Sequence, residues 1–357
     1  MRKWVILLAA ALLLLTVRVR AAEFPREMEQ ALPKEAESVL YSVELEKDGA
    51  LAAGLGVIWE KLAGKAGDVV RRQVRGAAGV LLAVVLCGAA EGAWPGEKAS
   101  AALSMVGALS VSLATAGSLE DLMGLGVETM RQLGTFSTVL LPTLAAATAA
   151  SGALSAASAQ QVAAMFFVDV LLRLVNGLLV PLVYLYVGVL TASACLPENR
   201  LGALAAGLKK AATWLLTTSL TAFTLYLTAV RVISGGADAM TVKVARAAIS
   251  GVVPVVGGII AEASETVLAG AGVLRGVVGL GGLLAVLAAC AYPFLQLAVQ
   301  YLLYKLTAYL ASLVGPAGLY KLIDGLGGAF GLVLGMTGAC AMLLLVSILT
   351  FVGAVVP

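Results

Sequence analysis

The sequence predicts an all-α, polytopic helical membrane protein, and three observations carry that prediction. Of its 357 residues, 61% are hydrophobic and 13% are charged, whereas soluble domains are about half apolar and about a quarter charged. Nearly half of the charged side chains precede residue 76, and long apolar runs follow from there to the C-terminus. Since a helix needs about 20 apolar residues to cross a bilayer, we expect about six to eight transmembrane or re-entrant helices.

The composition also excludes several classes of function. The chain has no histidine, which removes Ser-His-Asp catalysis and HExxH zinc chemistry. Its four cysteines are isolated, without CxxC spacing, and lie in or beside apolar runs, as apolar filler does. A net charge of +3 is too small for a nucleic-acid footprint. We therefore expect that the protein is not an enzyme and has no metal, cofactor or nucleic-acid partner. The partner that its composition implies is the lipid bilayer.

The first 21 residues have the pattern of a secretory signal peptide. Two basic residues precede the apolar run 4–17, and small or aliphatic residues occupy positions 19 and 21, where signal peptidase inspects the chain. Arg18 and Arg20 just before that cut leave an uncleaved signal anchor as the alternative. Either reading exports residues 22–75.

Residues 22–75 form the predicted exported head, and residues 76–357 the predicted membrane domain. The head begins with an acidic stretch that two prolines interrupt, typical of a loosely folded or partner-dependent segment. From Leu51 to Val69, apolar residues recur at helical spacing. This pattern predicts an amphipathic helix on a membrane or a partner helix, and a solvated helix packed on the rest of the protein explains it equally well.

Four prolines interrupt the apolar runs, and each removes one backbone hydrogen bond. Non-helical backbone at membrane depth is tolerated only where protein or a watery cavity satisfies its polar groups. These positions therefore predict broken helices that line interior surfaces, although a simple kink explains any single one. The four are Pro142, Pro181, Pro254 and Pro293.

Glycine spacing predicts close helix packing near the C-terminus. Gly327, Gly331 and Gly335 form a GxxxGxxxG motif, which lets two helix backbones approach closely. The contact can lie within the chain or between chains.

The basic connector 196–210 gives the clearest orientation signal. Arg200, Lys209 and Lys210 outnumber its acidic residue, which favours the cytoplasmic side. The three arginines between residues 71 and 75 conflict with this rule, because an exported head places them outside.

Ionisable residues inside apolar segments are functional candidates, because each is costly in lipid unless it is paired or wet. Asp169 and Arg173 are four residues apart and share a helix face, so they form either a structural pair or part of a site. Lys305 either contributes to a polar site or extends its ammonium to the membrane surface.

The richest group of charges surrounds a Pro-Val-Val-Gly-Gly turn beginning at residue 254. A re-entrant segment that lines a polar passage would explain this pattern of charges. A surface loop whose charges are solvated explains it equally well. The charged members are Asp238, Lys243, Arg246, Glu262 and Glu265.

An ordered series of motifs carries a resemblance to a known family. The motifs are Thr129-Met130, Phe136, Leu141-Pro142, Pro181-Leu182-Val183-Tyr184, Leu208-Lys209-Lys210, Ser234-Gly235-Gly236-Ala237-Asp238, Thr241-Val242-Lys243, Pro254-Val255-Val256-Gly257, Glu262, Glu265-Thr266-Val267, Val278-Gly279, Pro293 and Tyr304-Lys305. Over nearly its whole length the chain resembles the stage III sporulation protein AE family of endospore-forming bacteria.

The resemblance implies a non-catalytic subunit of the channel-like complex in the mother-cell membrane around the engulfed forespore. The implied partners are the other stage III A proteins, including the cytoplasmic ATPase and the ring-forming AG and AH subunits, and stage II sporulation protein Q. The alternative function is a secondary transporter whose polar path lies near Asp238 to Glu265.

Overall fold

The computed structural model describes residues 26–43, 45, 49–94, 96–151, 154–196, 201–252 and 257–353. For some of these, chiefly between 230 and 271, it describes the backbone and not the side chains. The predicted signal peptide, residues 1–21, lies outside the described residues.

Every regular element in the described part of the chain is helical, which confirms the predicted fold class. The elements are α1 (Arg26–Ala31), α2 (Lys34–Leu40), α3 (Ala50–Ala93), α4 (Glu97–Ala150), α5 (Leu154–Leu174), a π-helical turn (Val175–Leu179), α6 (Val180–Cys195), α7 (Gly202–Val252), α8 (Gly257–Val314) and α9 (Ala317–Val352).

Five stretches among the described residues are long and apolar enough to cross a membrane. They lie on α3, α4, the continuous unit of α5 and α6, α8, and α9. The predicted range of six to eight helices also counted the apolar runs near 211–230 and 247–260. The first of these runs lies on α7, which is not among the five. The second lies between residues 230 and 271, where the side chains are not described.

The long helices alternate in direction and leave two distinct ends of the bundle. We call the turn end the one where α3 ends, α4 begins, α6 ends, α7 begins and α8 turns into α9. At this end α3 lies so close to α8 that a Cβ at Gly88 would collide with the carbonyl oxygen of Val314. We call the opposite end the head end; there Gly279 faces Val352 and Leu144.

Helix α9 lies at the centre of the bundle and contacts α4, α5, α6, α7 and α8. Its buried side chains include Phe330, Met336 and Leu344. Two glycines of the predicted motif face α8: a Cβ at Gly327 would lie 3.2 Å from Tyr304 Cβ, and one at Gly331 would lie 3.1 Å from the Tyr301 ring. The third, Gly335, faces Leu216 of α7 at 4.0 Å. The described contacts of this motif therefore lie within the chain.

The structure corrects two of the four predicted helix breaks. Pro142 lies inside α4 and Pro293 inside α8, and both helices continue through them. Each proline removes only one hydrogen bond, and neighbouring helices hold the segments on both sides, as transmembrane helices allow. Pro181 does follow an irregularity, the π-helical turn Val175–Leu179. Pro254 lies outside the described residues.

Helix α3 crosses the predicted boundary between residues 75 and 76 without interruption. Its 44 residues correspond to about 66 Å at 1.5 Å per residue. Ile58 and Val69 are buried, Lys65 Nζ lies 5.0 Å from the centre of the Tyr292 ring, and Gln73 donates to the Gln296 carbonyl at 2.9 Å. One face of the predicted amphipathic helix thus packs on the rest of the protein, whereas Leu51 and Leu55 of the same pattern are exposed. The domain division itself stays a prediction.

Candidate functional site

A large open cavity of about 1120 Å³ lies at the turn end of the bundle; we call it the vestibule. Five helix ends build its wall, because α3, α4, α6, α7 and α9 all begin or end there. Polar side chains mix with small apolar ones along that wall. The polar lining residues are Glu91, Ser100, Ser104, Tyr186, Ser193, Lys209, Lys321 and Asp324.

An ion pair between α8 and α9 stands at the side of the vestibule. Lys305 Nζ lies 2.5 Å from Asp324 Oδ1, and it also donates to the Asp324 carbonyl oxygen at 3.2 Å. The same ammonium lies 5.9 Å from the centre of the Tyr301 ring. The Lys305 and Asp324 side chains are 30% and 52% exposed. Because they pair, neither leaves an unpaired charge in the apolar bundle, where such a charge is costly.

Tyr186 and Lys209 meet over a glycine on the inner wall. The Tyr186 hydroxyl is buried and donates to the Gly325 carbonyl at 3.0 Å. A Cβ at Gly328 would lie 2.9 Å from Lys209 Nζ and 3.1 Å from the Tyr186 hydroxyl oxygen. Glycine at position 328 therefore leaves the space that the half-buried ammonium of Lys209 occupies.

Two further contacts join neighbouring helices, the first of them at the vestibule. At the rim, the Ser100 hydroxyl donates to a Glu91 carboxylate oxygen and so joins α3 to α4. Deeper in the bundle, the hydroxyls of Thr115 and Tyr304 are 3.0 Å apart and buried. Within the described residues, no group of three or more Cys, Asp or Glu side chains could hold a metal ion.

The structure brings only some of the predicted site residues to the vestibule. Lys305 lies beside it, in the pair with Asp324. Asp169 and Arg173 do form an ion pair of 2.8 Å, but their side chains are 59% and 79% exposed on α5, which does not line the vestibule. The side chains of the remaining predicted residues are not described; they are Asp238, Lys243, Arg246, Glu262 and Glu265.

Sequence reasoning missed Asp324, Tyr186 and Gly328. A signal for Asp324 was present, because Lys305 and Asp324 lie at similar distances, about two to three helical turns, on either side of the turn that Gly315 and Pro316 form. Antiparallel helices joined by a short turn bring such positions side by side. Nothing comparable in the sequence indicated that Tyr186 and Lys209 meet over Gly328.

These features define a polytopic helical membrane protein whose apolar bundle encloses an open, mixed-charge vestibule at one end. The comparisons add the family. A family model for stage III sporulation protein AE matches residues 47–355, and the chain belongs to that family. No match was found among curated proteins or among solved structures. The protein is accordingly a sporulation-related, multi-pass membrane protein.

Proposed function

We propose that the protein is a non-enzymatic, multi-spanning subunit of the channel complex between mother cell and forespore, located in the mother-cell membrane that surrounds the forespore. Membership of the stage III sporulation protein AE family supports the link to sporulation. The resemblance adds the implied partners: the stage III A ATPase, the AG and AH ring subunits, and stage II sporulation protein Q.

The length of the helices is the observation that carries this proposal. Helices α4, α7 and α8 have 54, 51 and 58 residues, which correspond to about 75 to 90 Å. The hydrocarbon core of a bilayer is only about 30 Å thick. The bundle therefore extends well beyond the membrane and offers protein surface to other subunits, as a component of an assembly must.

The two ends of the bundle suit different partners. The two helix ends that flank the basic connector 196–210, at Cys195 and Gly202, lie at the turn end, and the positive-inside rule favours the cytoplasm for this connector. The ATPase is the implied partner at this end. Trp59, 73% exposed on the first part of α3, belongs to the opposite half, where exported ring subunits and stage II sporulation protein Q would dock.

Copurification tests the proposal. The tagged protein is extracted gently from membranes of sporulating cells at engulfment, and its companions are identified by mass spectrometry. Recovery with other stage III A proteins in fixed proportion is the expected result. Recovery alone, as a homogeneous small oligomer, would overturn the assembly role.

A matched pair of tryptophan variants locates the docking surface in the same experiment. We expect Trp59→Ala to reduce recovery of the exported partners. Trp214→Ala is the control, because Trp214 is similarly exposed, at 63%, but lies on the other half of the bundle. Equal losses from both variants would argue against docking at the head end.

A secondary transporter is the second candidate function, and the vestibule of about 1120 Å³ favours it. The sequence places its polar path near Asp238 to Glu265. Asp238→Ala and Glu262→Ala variants should then localise normally but impair sporulation. Normal sporulation with both variants would remove that location for the path.

A further inference from the structure

The vestibule wall carries charges of both signs, and its acidic groups are already engaged within the protein. The charged residues that line it are Glu91, Lys209, Lys321 and Asp324. Asp324 pairs with Lys305 at 2.5 Å, which cancels its charge, and a Glu91 carboxylate oxygen at the rim accepts the hydrogen bond of Ser100. The described wall therefore keeps one negative charge, at the rim, against two positive charges.

The ammonium of Lys209 is the charge that most needs a counterion. It lies on the inner wall, where a Cβ at Gly328 would be 2.9 Å from Lys209 Nζ, and the side chain is half-buried. Among the described residues, no side chain or carbonyl forms a hydrogen bond or an ion pair with this ammonium. A cation that is withdrawn from water without a partner is costly, so a negatively charged ligand beside Lys209 would be stabilised.

Lys321 brings a second ammonium to the same cavity from another helix. Lys209 belongs to α7 and Lys321 to the beginning of α9, and both line the vestibule. Lys321 is exposed, and within the part of the chain that the structure describes its ammonium is likewise without an ion pair. Since each ammonium donates only to acceptors, two of them favour a ligand with several charged oxygen atoms.

The size and the apolar lining of the vestibule indicate that the ligand is larger than an inorganic ion. The volume is about 1120 Å³, whereas sites for drug-sized ligands have about 300 to 1,000 Å³. Leu190, Leu196 and Leu322 add apolar surface to the wall. A bare ion would leave most of this surface without contact, so the geometry favours an anionic group that is attached to an organic body.

We propose that the vestibule binds an organic phosphate, with Lys209 as its main contact and Lys321 as the second. A phosphate offers several charged acceptor oxygens, and basic pockets between transmembrane helices are typical sites for anionic headgroups. The source is either the headgroup of an anionic phospholipid or a soluble phosphate ester. The site rests on neither function proposed above, because binding to the isolated protein needs no partner subunit and no transport.

Binding to the purified full-length protein in a non-ionic detergent tests the site. Phosphatidylglycerol is the lipid probe, and phosphatidylcholine, whose headgroup has no net charge, is its control. Native mass spectrometry counts the lipids bound to each protein as the lipid concentration rises. Glycerol 3-phosphate is the soluble probe, and its binding is measured by isothermal titration calorimetry.

Three variants separate a site at Lys209 from a general attraction between anions and a protein of net charge +3. We expect Lys209→Gln to weaken binding of the phosphate probe about tenfold, because it removes a hydrogen bond between charged groups. Lys321→Gln should weaken it less, since Lys321 is exposed. Lys210→Gln is the matched control with unchanged affinity: it makes the same charge change at an exposed neighbour that does not line the vestibule.

The two titrations identify the source of the phosphate. Tighter binding of phosphatidylglycerol than of glycerol 3-phosphate assigns the site to a lipid, and the reverse order assigns it to a soluble ester. Equal weakening by Lys209→Gln and Lys210→Gln would reduce the effect to net charge and overturn the site. Equal binding of phosphatidylglycerol and phosphatidylcholine, without binding of glycerol 3-phosphate, would overturn it as well.

Thermal unfolding of each variant, followed by circular dichroism, controls for folding. If Lys209→Gln unfolds at a lower temperature than the unaltered protein, Lys321→Gln decides the question alone, because its exposed side chain is not needed for packing. Weaker phosphate binding by Lys321→Gln than by Lys210→Gln then supports the site, and equal binding by these two variants refutes it. Either result leaves the copurification experiment unaffected.

Discussion

The three glycines of the GxxxGxxxG motif allow a graded test of packing between α9 and its neighbours. In Gly327→Ala the new methyl group would lie 3.2 Å from Tyr304 Cβ and 3.6 Å from the Lys305 backbone nitrogen. Neither atom belongs to a flexible chain end, so α8 and α9 must separate slightly. Overpacking of this kind lowers the free energy of unfolding by about 1 to 3 kcal/mol. The better helix propensity of alanine offsets about 1 kcal/mol of that loss.

The other two positions of the motif provide the comparison. In Gly331→Ala the methyl group would meet the Tyr301 ring at 3.1 Å, and a half-buried ring can tilt away. In Gly335→Ala the nearest atom is a Leu216 methyl at 4.0 Å, an ordinary contact. We therefore expect Gly327→Ala to destabilise most, Gly331→Ala less, and Gly335→Ala not at all.

Thermal unfolding in detergent micelles, followed by circular dichroism, measures this order. The expected free-energy gap between Gly327→Ala and Gly335→Ala is about 1 to 3 kcal/mol. Equal effects at all three positions, or a larger effect at Gly335, would refute the argument, because the close contacts at Gly327 and Gly331 would then not limit how closely the helices approach.

Three further predictions concern polar contacts. A double-mutant cycle with Lys305→Met and Asp324→Asn should give a coupling of about 0.2 to 1 kcal/mol, since the pair is partly exposed; zero coupling would argue against the pair. Tyr186→Phe should lower stability by about 0.5 to 1.5 kcal/mol through loss of its bond to the Gly325 carbonyl, whereas Tyr184→Phe, at an exposed position, should not. Arg173→Gln should change stability by less than about 0.5 kcal/mol, because the Asp169 pair is exposed; a loss of several kcal/mol in the same unfolding assay would contradict that.

The fold could be predicted from composition because the bilayer restricts the choice of structure. In hydrocarbon every backbone polar group must be satisfied internally, so long apolar runs without charges indicate helices. Composition could not decide whether the helices end at Pro142 and Pro293 or continue through them. A proline costs one hydrogen bond wherever it occurs, and only the surrounding helices decide whether the chain continues.

The site was less predictable, since it depends on which helices meet. Lys305 stood out because a charge within an apolar run is conspicuous, but its partner required the geometry of the hairpin at Gly315. Serine and threonine within apolar helices carry no such signal, because most of them bond to their own backbone, as Thr307 does at 2.7 Å. Only the packed structure shows that the Ser112 hydroxyl on α4 lies 2.9 Å from the Thr191 hydroxyl on α6.

The uninterrupted course of α9 has a mechanical consequence. From Ala317 to Val352 it is one helix without a proline or an irregular turn, so its hydrogen-bond ladder has no break at which its two ends could move separately. A subunit that binds near Phe351 and tilts the helix would therefore displace Asp324 and Gly328 in the same movement. Events on one side of the membrane would thereby change the shape of a chamber that opens on the other.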